Sequence, residues 1–158
     1  MKQRQGPKDG APATAETLER SKQLAKDPVA YFNALPPTTT IDDAWKTLWS
    51  FKRRISLPAG DPGRVDIKKS ETDSDMVSFA EHGGDDEQYY VSLFRIFRRI
   101  GYSTDDTRML FMKNMILTPG ADLGVLVGLI ESAKTKVDAD TTLPAVTKQG
   151  TPVTGAKN

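Results

Sequence analysis

The stretch Thr40-Ile-Asp-Asp-Ala-Trp-Lys-Thr-Leu-Trp-Ser-Phe-Lys-Arg-Arg-Ile55 decides the fold. Ile41, Ala44, Trp45, Leu48, Phe51 and Ile55 recur at the period of an α-helix, and Lys52 is the one polar member of that stripe. Thr40 with Asp43 makes a box-like start, with Asp standing where Glu or Gln is usual. Pro58 and the turn Gly60-Asp61-Pro62-Gly63 stop the helix. The same logic predicts the next helices. Asp85 or Asp86 caps one that carries Tyr89, Leu93, Ile96, Phe97 and Ile100 on one face, and Gly101 closes it as a left-handed cap. Ser103 with Asp106 opens another, carried by Met109, Leu110, Met112, Lys113 and Ile116 to Thr118-Pro119-Gly120. A last helix spans Ala121 to Val137.

Working outward, Thr14 to Lys26 reads as an exposed helix with a thin apolar stripe. Asp27 caps a short one with Pro28 at its first position. Residues 58–84 form the one long connector, in which Val65-Asp66-Ile67 alternates like a short strand and Met76, Val77 and Phe79 tack the chain to the core. Residues 1–13, polar and rich in Pro and Gly, read as a disordered basic arm, and 138–158 as a disordered Thr/Pro tail. The expectation is an all-α domain over 14–137, its core at 40–137. It is a compact bundle of four main helices plus one or two short N-terminal ones.

Composition sets limits. The chain has 158 residues and hydrophobic residues make up 37% of them. A globular norm of about 45–50% counts Gly as well, and the chain falls below it even so, which fits arms lying outside one core. With no Cys and a single His, His82, neither a disulfide framework nor a Cys/His zinc cluster can be built. No apolar leader follows Met1 and no apolar run reaches the roughly 20 residues that span a bilayer. A cytoplasmic or virion location is expected. No P-loop, dinucleotide fingerprint or nucleophile elbow occurs, so the chain reads as non-enzymatic and without cofactor.

Net charge is only +1, but it is blocked. Lys46, Lys52, Arg53, Arg54, Arg64, Lys68 and Lys69 outnumber Asp61 and Asp66. Glu71 to Glu87 is acidic throughout, without Lys or Arg. Arg95, Arg98, Arg99, Arg108 and Lys113 then outnumber Asp105 and Asp106. Two readings of the cations stand side by side. Lys52, Arg53, Arg54, Arg95, Arg98 and Arg99 either converge on one face that binds nucleic-acid phosphate or simply complement helix C-termini. The acidic run either caps a helix, solvates a loop, or folds over the basic helices and competes with an anionic ligand. Asp73, Asp75 and Glu81 fail the calcium-loop pattern, which needs a central Gly and a closing Glu.

Other features have paired readings as well. The apolar residues around Gly101 resemble a DNA-binding helix-turn-helix, yet Phe97 is bulky and Asp105 and Asp106 would face phosphate, so a plain helical hairpin competes. In the pairs Trp45/Trp49 and Tyr89/Tyr90 one member is core, and Trp49 and Tyr90 are the candidates for an exposed interaction patch. Gly124 and Gly128 permit close approach of a helix, from this fold or from another chain.

In composition, a basic arm, a cysteine-free helical body and a Thr/Pro tail resemble small viral or phage structural proteins. That likeness implies a nucleocapsid- or capsid-associated assembly protein whose partners are RNA or other nucleic acid and copies of itself. The alternative is a protein–protein adaptor acting through Trp49/Tyr90 or the Gly124/Gly128 face.

Overall fold

A computed structural model of the protein describes residues 15–116, 120 and 122–148. Every regular element among them is helical: α1 (Ala15–Lys26), α2 (Pro28–Asn33), α3 (Ile41–Ile55), α4 (Ser74–Glu81), α5 (Glu87–Ile100), α6 (Thr104–Ile116) and α7 (Leu123–Asp138), with a 3₁₀ turn at Lys69–Glu71. The expected arm over 1–13, the Thr14 cap, Thr118-Pro119 and Ala121 lie outside the described residues.

The starts follow from local chemistry. Asp43 N–H donates to Thr40 Oγ1 at 3.1 Å and Thr40 N–H donates back to Asp43 Oδ2 at 3.2 Å, so the box closes reciprocally. Asp27 Oδ1 accepts from Ala30 N–H, with Pro28 in the first helical position. Ser103 Oγ accepts from Asp106 N–H and opens α6. Asp122 opens α7 by accepting from Val125 N–H.

α5 is the centre of the fold. It packs against α4 and α7 most extensively and also meets α2 and α6. Its buried residues are Tyr89, Tyr90, Ser92, Leu93, Phe94, Ile96, Phe97 and Ile100, well beyond the single face expected. A helix covered on most sides shows no clean polar face. Only Val91, Arg95, Arg98 and Arg99 in its middle and last turns reach partial exposure.

Three departures from the sequence reading have physical causes. First, the 58–84 connector carries α4 rather than a strand. Asp73 Oδ2 accepts from both Asp75 N–H and Met76 N–H, and Met76 and Phe79, three residues apart, are fully buried. Val65 is buried as well, but its N–H donates to Arg54 O at the end of α3 and pairs with no strand. Second, Met109 is 64% exposed while Phe111 is buried, so α6 turns a different side inward. Third, residues 139–148, expected in a disordered tail, run back as a strap over the end of α5. Thr147 N–H and Lys148 N–H both donate to Gly101 O, at 2.8 and 3.0 Å.

That strap sits on a well-formed helix end. Tyr102 N–H donates to Phe97 O and Gly101 N–H to Arg98 O, and the Phe97 and Tyr102 rings lie 6.2 Å apart. This is the Schellman arrangement with its hydrophobic contact. Gly101 has φ +118°, and a Cβ there would meet Thr147 Oγ1 at 2.3 Å. Gly101→Ala is therefore expected to destabilise the fold by about 2 kcal/mol, from left-handed strain and displacement of the strap together. Urea unfolding measures it; an effect within about 0.5 kcal/mol would show that the strap contributes little.

Candidate functional site

The six candidate cations go to different places. Arg99 forks onto Asp73, with Nη2 to Oδ1 at 2.8 Å and Nη1 to Oδ2 at 3.0 Å, and Nη1 also reaches Asp75 Oδ2 at 2.8 Å. Arg95 joins Asp75 through Nε (2.9 Å) and Asp140 of the strap through Nη1 (2.6 Å). Lys52 is half-buried, and its ammonium donates to Phe79 O, Ala80 O and His82 O, capping the C-terminus of α4. It also sits 5.2 Å from the Phe79 ring centre. Arg54 is buried and donates to Gly63 O. Arg98 donates to Pro144 O of the strap. The Arg53 side chain, on α3, makes no hydrogen bond or ion pair among the described residues. The expected convergence of all six on one wet face is thus replaced by internal partners for five of them.

The acidic run supplies the carboxylates that hold Arg99 and one of the two that hold Arg95. Asp73 caps α4 and Asp86 caps α5, accepting from Gln88 N–H at 2.9 Å. Glu81 pairs with Lys69, and Glu87 with Lys136 of α7. His82 Nδ1 lies 2.6 Å from Asp86 Oδ2, tying the end of α4 to the start of α5. Asp73 and Asp86 act as caps, and Asp73 and Asp75 also pair with Arg95 and Arg99 of α5. Among the described residues no cluster of His, Asp and Glu could hold a metal ion.

Electrostatics follow. The Asp73 hydrogen bonds, against a burial cost, raise the Arg99 guanidinium further above its ordinary value. Burial opposes the charge of Arg95, but Asp75 and Asp140 outweigh it and raise its pKa too. Burial lowers the pKa of Lys52. The carboxyls of Asp86 and Asp140 are held below the usual range, the first by His82 and the Gln88 amide, the second by Thr142 and then Arg95.

The candidate aromatic pair behaves differently from expectation. Tyr90 is 6% exposed, and its hydroxyl donates to Gly84 O at 2.7 Å, so it is no free stacking platform. Burial pushes its phenol up to about 12. Trp45 is buried and Trp49 half-buried, their ring centres 5.8 Å apart. Trp49 and Tyr90 nonetheless share one feature, an open groove of about 450 Å³. Trp45 and Trp49 of α3, Tyr89 and Tyr90 of α5, Phe111 and Met115 of α6, and Val125 and Leu126 of α7 supply its apolar lining. Phe111 is the hub, with Trp45 at 6.3 Å, Tyr90 at 5.4 Å and Phe94 at 5.2 Å, all edge to face. Asp85, Asn114 and Asp122 are the polar lining side chains.

Beside the groove, α7 turns Leu123, Gly124, Val125 and Gly128 to solvent; Leu123 and Val125 are 47% and 56% exposed. Among the described residues, no helix fills the space over the two glycines. A Cβ on Gly128 would meet nothing within 4 Å, and one on Gly124 only Asp122, the cap of the same helix. Sequence reasoning missed Phe111, Met115, Val125, Leu126, Asp85 and Asp122 as groove residues. One signal was available: Leu123 to Ile130 has no polar residue at any helical position, more apolar surface than one buried face requires.

Comparison of the chain with known families, curated proteins and solved structures finds no match, so the functional reading rests on geometry alone.

Two outcomes test the network. Arg99→Met leaves partly buried Asp73 without a countercharge and Asp75 with Arg95 alone, and is expected to cost about 2–3 kcal/mol in urea unfolding. Adding Asp73→Asn, which keeps the α4 cap, should restore part of it; additive losses would show that the pair contributes nothing. On the acid side, Asp86, Glu87, Asp138 and Asp140 all have lowered carboxyl pKa values. Their contribution is complete above the unfolded-state values, 3.8 for Asp and 4.5 for Glu, and is lost as pH falls through the folded-state values. The urea midpoint should therefore hold from neutrality to about pH 5 and drop below about pH 4.

Proposed function

We propose that this protein is a non-enzymatic interaction module that docks a partner protein on the groove between α3, α5, α6 and α7. The observation that carries this reading is the continuous apolar surface made by the aromatic groove and the exposed first half of α7. Contiguous exposed apolar surface of this kind marks interaction sites in soluble proteins, because leaving it in water costs about 25 cal/mol per Å². Aromatic anchors beside small residues suit the approach of another helix.

The geometry favours this over phosphate binding. Arg95 and Arg99 are neutralised by carboxylates, while Lys52 and Arg54 are turned to backbone carbonyls. A polyanion would have to break those ion pairs before gaining contacts with the same guanidiniums.

A hydrophobic dye tests the accessibility of the surface. Anilinonaphthalene sulfonate is expected to brighten on binding and to accept excitation energy from Trp45 and Trp49. Val125→Asp, at an exposed position, should remove that signal while leaving the helical circular dichroism unchanged. Absence of dye binding to the folded protein would remove the proposal.

A further inference from the structure

The charges around the groove narrow what fits it. Among the described residues that line it, the charged side chains are Asp85 and Asp122, with no Lys, Arg or His. This holds in a chain with 22 Lys and Arg against 21 Asp and Glu, and on a molecule that gives most of its other acids a cationic or capping partner. Asp85 is exposed and makes no hydrogen bond or ion pair among the described residues. Asp122 uses Oδ1 to cap α7 and makes no ion pair there either. The walls are aromatic, and aromatic ring faces attract ammonium and guanidinium groups.

From this we infer that the groove takes an amphipathic helix of a partner protein whose apolar residues are flanked by lysine or arginine. The inference rests on the interaction reading above. The partner's apolar stripe lies over Phe111, Met115 and Leu126. Its backbone runs near α7, where Gly124 and Gly128 leave room, and its cations meet Asp85 and Asp122. A second copy of this chain suits the site less well. A twofold pairing of identical grooves would gather four carboxylates, Asp85 and Asp122 of each copy, with no Lys or Arg from the described lining, and like charges brought together on association disfavour it.

The chain has two tryptophans, Trp45 and Trp49, and both line the groove, so its whole tryptophan emission reports on occupancy. The test titrates the full chain with two synthetic helical peptides of about four turns. Both carry leucine at i, i+3, i+4 and i+7; lysine fills the other positions in one and glutamate in the other. The lysine peptide should shift the emission saturably, and the glutamate peptide should bind at least about tenfold more weakly. Asp85→Asn/Asp122→Asn keeps the α7 cap. It should weaken the lysine peptide by about tenfold and flatten its salt dependence. Val125→Arg should abolish binding of both.

Equal binding of the two peptides would overturn the cationic partner and leave the interaction reading standing. Dye binding without binding of either peptide would overturn the partner class alone. Loss of dye and peptide binding together would overturn both readings. A dimer seen by sedimentation in wild type and lost in Val125→Arg would make a second copy the occupant and overturn the inference.

Discussion

Arg99 meets both oxygens of Asp73 and one of Asp75, at the rim of a helix that is otherwise almost entirely covered. The arrangement of this protein follows from that constraint. α5 contributes so much of the core that its cations cannot all swing into water. Each finds a partner close by, carboxylates for Arg95 and Arg99 and a strap carbonyl for Arg98. Asp73 and Asp75 bring α4 to one side of α5, and Asp140 brings the strap to another. Lys52 solves the reverse problem: its ammonium closes the bare carbonyls at the end of α4, so α3 holds α4 from the far end. Part of the acidic block thus neutralises the basic block that follows it, through Asp73 and Asp75 on Arg95 and Arg99.

Much of the fold was legible because it is written in short-range chemistry. The Thr40/Asp43 box, Asp27-Pro28, Gly101 and the Trp45/Leu48/Phe51 stripe each act within a turn or two, and each appears where its residues place it. α4 was not legible. Its eight residues show little periodicity, and their decisive interactions are with distant residues: Asp75 with Arg95, Lys52 with its last carbonyls. The strap was obscured for the same reason. A Thr/Pro segment poor in large apolar groups is held by main-chain bonds to Gly101 and by Arg95 and Arg98, none of which composition reveals.

The site was half legible. Trp49 and Tyr90 were picked as candidates and do line the groove, but Tyr90 was expected to be free and is instead anchored to Gly84. The six candidate cations part company because spacing along a helix locates a cation but not its partner. Arg98 and Arg99 are neighbours in sequence; one reaches a strap carbonyl and the other two carboxylates on α4. The groove itself needs four helices to exist, and no window of sequence contains it.

The fastening of the strap has a further consequence. Its grip on Gly101 comes from the amides of Thr147 and Lys148, groups that every residue except proline supplies. Side chains along residues 139–148 other than Asp140, which pairs with Arg95, can therefore drift during evolution with little loss, provided chain length and the absence of proline at those two donors are kept. A protease that severs the backbone between α7 and Thr147 would turn an intramolecular tether into a dissociable peptide. The clasp is indifferent to spelling and vulnerable to scissors.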